Sequence, residues 1–183
     1  MKSIDLSVQA CPVARSLDRV GEGWSILILR DAMYGLTRFD EFEKSLGIAP
    51  NILAKRLSEL VEAGMLERVQ YCNKPLRYEY LLTELGWSFR AVMLAFVEWG
   101  SSCLAPEGRA VQLTERTSGR PVRIGMVDLD TGRPVTNSDF VMTPGPAADE
   151  AIRYRFAYIE NKRTGQASNL KFMHRVRTVV TRD

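Results

Sequence analysis

The chain of 183 residues is poor in the side chains that most chemistry needs. It has one histidine, His174, and three cysteines, Cys11, Cys72 and Cys103, widely separated and with no C-x-x-C pair. No zinc site with plausible ligand spacing can be assembled from them, and an odd cysteine count argues against a disulfide framework. A clustered nucleophile, base or metal set is missing, so no enzyme and no cofactor are expected. There is no long uncharged apolar run for a membrane span, and M-K-S-I-D-L-S-V-Q-A lacks the hydrophobic region of a signal peptide, so a cytoplasmic protein is expected. Charge of one sign is scarce too: the formal net charge is only +3, which excludes a polybasic coat but not local positive patches. Residues 1–104 carry 12 Lys+Arg against 13 Asp+Glu, residues 105–148 carry 5 against 5, and residues 149–183 carry 8 against 4, so the excess lies in the tail.

What is present is a helix, a tight turn, a second helix and a hairpin between Thr37 and Leu82. Thr37 suits a helix N-cap, with Asp40 and Glu41 in the first turn beside the positive end of the helix dipole. Phe39, Phe42 and Leu46 share a face, and Gly47 ends the helix. Pro50 suits the first position of the next helix, where its missing N–H costs nothing. Leu53, Leu57, Leu60 and Val61 form its inward stripe, and at about 100° per residue Asn51, Lys55, Ser58 and Glu62 face the other way, with Arg56 on the flank. Asn51, Lys55 and Arg56 are therefore read as free to reach bases or phosphates. Gly64 stops the helix. Leu66 to Tyr71 and Arg77 to Leu82 then form a hairpin around Cys72-Asn73-Lys74-Pro75, placing Lys74 and Arg77 where a wing tip would follow a phosphate backbone. Two amphipathic helices and a hairpin also occur in many small domains, and most surface Lys and Arg are simply solvated.

The flanks support the same architecture. Pro12 opens a helix with Val13, Leu17 and Val20 inward, and Trp24 to Gly35 is apolar nearly all round until Arg30, as a buried central helix would be. Thr83 caps a long helix through Phe89, Val92, Met93, Phe96, Val97, Gly100 and Leu104, a stripe too long for a domain of this size to cover. It is read as half of a two-fold dimer interface packed with the N-terminal helix, unless the C-terminal residues cover it instead. Trp24, Trp87 and Trp99 are read as core aromatics rather than a pocket lining. From Pro121 the pattern turns extended, V-R-I-G-M-V-D-L and V-T-N-S-D-F-V-M-T around a D-T-G-R-P turn, which predicts a small β unit. Residues 147–161 permit either a helix or a strand, with the balance slightly toward helix. The fold class is thus α+β, mainly α: a winged helix-turn-helix with a long dimerisation helix, residues 1–104, then a β-containing C-terminal extension, 105–161, and a basic tail, 162–183.

The sequence resembles the HxlR-type regulators, a branch of the MarR-like winged-helix transcription factors. The matching segments are C-P-V-A-R-S-L-D-R-V-G-E-G-W-S-I-L-I-L-R-D at 11–31, R-F-D-E-F at 38–42, L-G-I-A-P-N-I-L-A-K-R-L-S-E-L at 46–60, G-M-L-E-R at 64–68, R-Y-E-Y-L-L-T-E-L-G at 77–86 and W-G at 99–100. The resemblance implies a homodimer on double-stranded DNA whose two recognition helices enter successive major grooves of a near-palindromic operator. It makes Asn51, Lys55 and Arg56 the groove-facing residues, Thr37 and Arg38 supports at the backbone, and Lys74 and Arg77 the wing contacts. Where the family often has serine this chain has Ala49, so a capping hydroxyl worth about 1 kcal/mol is absent from the recognition helix. The resemblance also makes Cys11, at a helix start where the dipole favours thiolate, a candidate sensor of oxidants or electrophiles, against the plainer role of a small apolar side chain in the interface. Of the other two cysteines, Cys72 is expected to be the more exposed and Cys103 structural. A protein- or ligand-binding module using the same fold as a docking scaffold is the alternative.

Overall fold

A computed structural model describes residues 6–136 and 138–163. The basic tail from residue 164 onward, with His174, and the first five residues lie outside them. The order is α1 (Pro12–Val20), α2 (Gly23–Tyr34), α3 (Phe39–Leu46), α4 (Pro50–Glu62), β1 (Leu66–Asn73), β2 (Leu76–Leu82), α5 (Glu84–Ser88), α6 (Arg90–Cys103), β3 (Leu113–Thr114), β4 (Pro121–Val122) and α7 (Glu150–Arg163). The chain is α+β, mainly α, and its centre is a winged helix-turn-helix. Among the described residues no helix is long and apolar enough to cross a membrane.

Residues Arg19–Val135 form one compact unit. Its core is the meeting of the apolar stripes of α2, α3 and α4: Ile28, Leu29, Phe42, Leu53, Leu57 and Leu60 are fully buried, with Leu66 of β1 beside them. The spacing of Leu53, Leu57 and Leu60 puts one leucine on the core side at each turn, which is why α4 packs on that side alone. Gly47 closes α3 in the left-handed region, φ 60°, as a terminal glycine can without a Cβ clash. Pro50 is the first residue of α4, and the preceding Ala49 offers no side-chain cap.

One buried carboxylate joins the helices. Asp31 of α2, only 2% exposed, accepts from Arg30 Nε at 2.8 Å and from Ser45 Oγ of α3 at 2.7 Å. A buried charge is tolerated only with such partners. Asp31→Ala should therefore destabilise the fold by about 1–3 kcal/mol, read as a lower urea midpoint with unchanged slope.

β1 and β2 pair antiparallel, Leu66 opposite Leu82 and Asn73 opposite Leu76, with a bulge between Gln70 and Cys72. The wing is longer than the sequence suggests. Cys72 and Asn73 belong to β1, which leaves Lys74-Pro75 as the tip.

Several expectations are corrected. The N-cap of α3 is Arg38, not Thr37. Glu41 Oε2 instead accepts the N–H groups of Thr37 at 2.8 Å and Arg38 at 2.9 Å, and these bonds hold the Glu41 carboxyl below its ordinary pKa. The long helix after Thr83 is two helices, α5 and α6, with a turn at Phe89 between them. Thr83 does cap the first of these, its hydroxyl accepting from Gly86 N at 3.0 Å. Val13 and Leu17 are exposed and only Val20 of that trio is buried. Trp24, Trp87 and Trp99 all stand partly in solvent rather than in the core. Cys103 is the exposed thiol, whereas Cys11 and Cys72 are half-buried.

Beyond α6 the extended pattern pairs only briefly: β3 with β4 over two residues each, and a lone bridge between Val127 and Pro134. The D-T-G-R-P turn is present, with Thr131 Oγ1 donating to Asp128 Oδ2 at 2.5 Å and Gly132 at φ 68°. Leu129, Val141 and Met142 are left exposed, so there is little apolar burial to hold longer strands together. Among the described residues, the second unit comprises those up to Asp18 and those from Thr136. The choice left open for residues 147–161 resolves as helix α7, which starts with Asp149 Oδ1 accepting from Ile152 N at 2.8 Å.

Candidate nucleic-acid interface

The side of α4 opposite its buried leucines is free. Asn51 in the first turn is exposed, and the Lys55 side chain one turn on is 67% exposed. Lys55 Nζ lies 3.8 Å from Glu59 Oε1, an exposed i, i+4 pair worth only about 0.3–0.5 kcal/mol. Turning Lys55 toward a phosphate would therefore cost little.

Arg56 differs, and the expectation that it is free is corrected. Its side chain is 17% exposed and bridges Glu59 Oε2 at 2.7 Å and Glu22 Oε2 at 3.1 Å. Its Nε is buried and has no hydrogen-bond partner among the described residues. Glu22 is the residue that precedes α2, so Arg56 ties the flank of α4 to the start of that helix. At the other end, Arg19 Nη1 donates to the carbonyl of Ala63, the C-cap of α4, at 2.5 Å. A cation there satisfies an orphan carbonyl and suits the negative end of the helix dipole. Two arginines thus fix α4 in place, a role that helical spacing alone did not reveal for either.

The start of α3 is stitched to the wing. Tyr80 N donates to the Thr37 carbonyl at 2.7 Å, and the Arg38 backbone pairs with that of Glu79 in an isolated antiparallel β-bridge. The Arg38 guanidinium stacks 4.6 Å from the centre of the Tyr71 ring, and that of Arg68 lies 3.6 Å over Tyr78. Such stacking orders a long cation while leaving its edge N–H groups able to donate. Arg68 and the two tyrosines were not found from sequence, because which residues face each other depends on the strand register past the bulge. Lys74 at the tip and Arg77 on β2 are exposed. Tyr71, Arg77, Tyr78 and Tyr80 also line a cleft of about 450 Å³ with Phe39, Asp40 and Leu76.

The expected residues thus divide four ways. Asn51 and Lys55 share the open face of α4, Arg38, Lys74 and Arg77 accompany the wing, Thr37 acts through its backbone, and Arg56 is committed to ion pairs within the protein. Among the described residues no group of three or more His, Cys, Asp or Glu side chains could hold a metal ion.

Comparison with known proteins agrees with the winged helix-turn-helix fold. The model of the HxlR-like helix-turn-helix family matches residues 19–108. The uncharacterized HTH-type transcriptional regulator Rv3095 of Mycobacterium tuberculosis is 38% identical over 135 residues, covering 73% of this chain and 85% of that protein. Among solved structures, the candidate transcription factor PA1374 of Pseudomonas aeruginosa is 58% identical with a TM-score of 0.59, covering 79% of this chain and 99% of that one. A second candidate transcription factor, PA1607, is 44% identical with a TM-score of 0.69, covering 76% and 98%. The chain belongs to the HxlR-like helix-turn-helix family of transcriptional regulators.

Proposed function

We propose that this regulator binds a near-palindromic operator as a homodimer, with α4 of each protomer entering a major groove and the wing following the adjacent backbone. The observation that carries the proposal is the division of α4 into a leucine face with no exposure and an open face bearing Asn51 and Lys55. An asparagine can pair with an adenine edge through two hydrogen bonds, and a lysine near the helix front can meet either guanine or phosphate. Arg38, Lys74 and Arg77 supply the positioning contacts, and Arg68 is added to them on its stacked geometry. Thr37 contributes by holding the start of α3 to the wing. Residues 1–104 are assigned DNA binding and dimerisation, and 105–161 and 162–183 are appended segments.

The dimer is assigned to α6. Val92, Phe96 and Trp99 are 46%, 46% and 56% exposed and lie along one side of that helix, an apolar stripe left open among the described residues. α1 separately exposes Val13 and Leu17. The test is retention of the chain's own upstream DNA against a scrambled competitor, with mass measured by light scattering. Wild type should be a dimer that prefers its upstream region by about 10³-fold or more. Phe96→Asp with Trp99→Asp should give a folded monomer with most of that preference lost. A wild-type monomer, or equal retention of both DNAs, would remove the proposal.

Response to an oxidant or electrophile is assigned to Cys11. It stands just before α1, and the backbone N–H of Ala14, that of Val13 and the Arg155 guanidinium together lower its thiol pKa against the opposing effect of burial. More thiolate at neutral pH means faster reaction. Cys11→Ser should keep the DNA affinity and abolish its loss on treatment with peroxide or a quinone. Loss of binding in the variant equal to wild type would exclude Cys11.

A further inference from the structure

The wing carries more aromatic surface than contact with a phosphate backbone would use. Phe39 at the start of α3 and Tyr71, Tyr78 and Tyr80 of the hairpin bring four rings to one open cleft of about 450 Å³. Drug-sized ligands occupy sites of roughly 300–1,000 Å³, so the cleft has room for a mononucleotide. Two of the rings are already ordered by cations. The Arg68 guanidinium covers one face of Tyr78, and that of Arg38 covers one face of Tyr71. Both rings also line the cleft, which leaves each a surface for a planar guest. Tyr71 is the extra residue of the β1 bulge, since Gln70 pairs with Tyr78 and Cys72 with Arg77. Bulges re-aim a side chain, and they are over-represented beside active sites.

The cleft is lined by one acid, Asp40, and one base, Arg77, and both are exposed. Among the described residues neither side chain has an ion pair or a hydrogen bond, with the other or with any third group. Each is therefore available to a ligand, and together they select it. Aromatic rings stack on any base, so the rings alone give no preference. A carboxylate only accepts, so it favours an edge with two adjacent donors. Among the common bases only guanine has one, its N1–H beside the N2 amino group. Adenine and cytosine set a donor beside an acceptor there, and uracil sets a donor between two acceptors. A guanidinium, for its part, forks onto a phosphate.

We infer that the wing cleft is a binding site for an unpaired guanine nucleotide. The base stacks on Tyr71 and Tyr78, its N1–H and N2 amino group donate to Asp40, and its phosphate meets Arg77. Two sources carry that chemistry, a free mononucleotide and an unpaired guanine within a single strand. Duplex DNA does not, because cytosine already occupies the edge that Asp40 would read. The inference rests on the cleft alone. Arg77 is also assigned to the operator backbone, but the test below uses no duplex DNA, so either assignment can fail without the other.

Guanosine 5′-monophosphate is the first probe, titrated by calorimetry into the full chain beside adenosine 5′-monophosphate. The second is a short oligothymidine strand with a single central guanine, beside oligothymidine alone. The guanine mononucleotide should bind once per chain with a Kd of roughly 0.1–1 mM, and the adenine one about tenfold more weakly. Asp40→Asn should remove that preference, leaving the two within about twofold of each other. Arg77→Gln should keep the preference for guanine but bind the monophosphate no better than guanosine. Both residues are exposed, so unchanged melting should show that both variants fold. Tighter binding of the mononucleotide than of the guanine-bearing strand identifies the free nucleotide as the ligand, and the reverse order identifies the single strand. The site is overturned if neither probe shows a guanine preference, with the mononucleotide taken to about 10 mM. It is equally overturned if Asp40→Asn keeps the wild-type preference.

Discussion

Gly86→Ala should cost this protein about 3 kcal/mol or more, a fall in melting temperature on the order of 15 °C for a domain of this size. Gly86 is buried at the start of α5, where that helix rests on the base of the wing. A Cβ there would lie 2.2 Å from the carbonyl oxygen of Met65 and 2.9 Å from Leu82 Cδ2. The side chain of Leu82 can turn aside, but the Met65 carbonyl is backbone. It also accepts from Thr83 N at 3.2 Å, so the clash cannot be relieved without disturbing the join. Thr83 Oγ1 further donates to the Gly64 carbonyl at 2.6 Å, so the end of α4, the wing and α5 share one small junction. Gly100→Ala is the control of opposite sign. Nothing lies within 4 Å of a Cβ at that helical position, so the change should add about 0.5–1 kcal/mol of stability. Urea unfolding of the two variants beside wild type checks both. Equal stabilities would mean the junction at Met65 is looser than its geometry states.

Lys55→Ala and Arg56→Ala should have different consequences although the residues are neighbours of the same charge. Lys55→Ala should lower operator affinity, reduce the slope of log K against log salt by about 1, and leave the urea midpoint within about 0.5 kcal/mol of wild type. Arg56→Ala should lower stability by about 1 kcal/mol, through lost packing of its stem and two released carboxylates, with the salt slope unchanged. The modest size follows from the exposure of Glu22 and Glu59, 63% and 41%, which lets water screen both pairs. Asn51→Ala completes the series: removal of a bidentate base contact should cost about 1–3 kcal/mol on the operator and little on random DNA. Should Arg56→Ala match Lys55→Ala in salt slope, the arginine leaves its ion pairs to meet DNA and its assignment here is wrong.

The contrast between Lys55 and Arg56 also marks how far the sequence could be read. Periodicity was sufficient for α4, because three leucines at helical spacing can only share a side. It was sufficient for α3 and the wing as well, where Gly47, Pro50 and Gly64 punctuate the chain. It could not say that Arg56 would be taken by Glu22, thirty-four positions away, since ion-pair partners depend on how helices cross. Arg68 was missed for a similar reason, its tyrosine being set by strand register. Val13, Leu17 and Trp99 were read as covered because apolar side chains at helical spacing usually are. In the single chain they stand open, and for Trp99 the proposed dimer supplies the cover. The extended pattern after Pro121 has the composition of strands but too little apolar area to bury, and among the described residues it supplies only β4, paired with the preceding β3, and a bridge between Val127 and Pro134. Gly86 was legible only as a letter, its close approach to Met65 being a property of the packed junction.

The assignment of the open face of α4 to the major groove is tested most directly by photochemistry. A benzophenone side chain placed at Asn51 should cross-link to bases at two positions about one helical turn apart in the chain's own upstream DNA, and one placed at Arg56 should cross-link to protein instead. Cross-links from position 51 that are absent, or that spread evenly over specific and scrambled DNA, would contradict it.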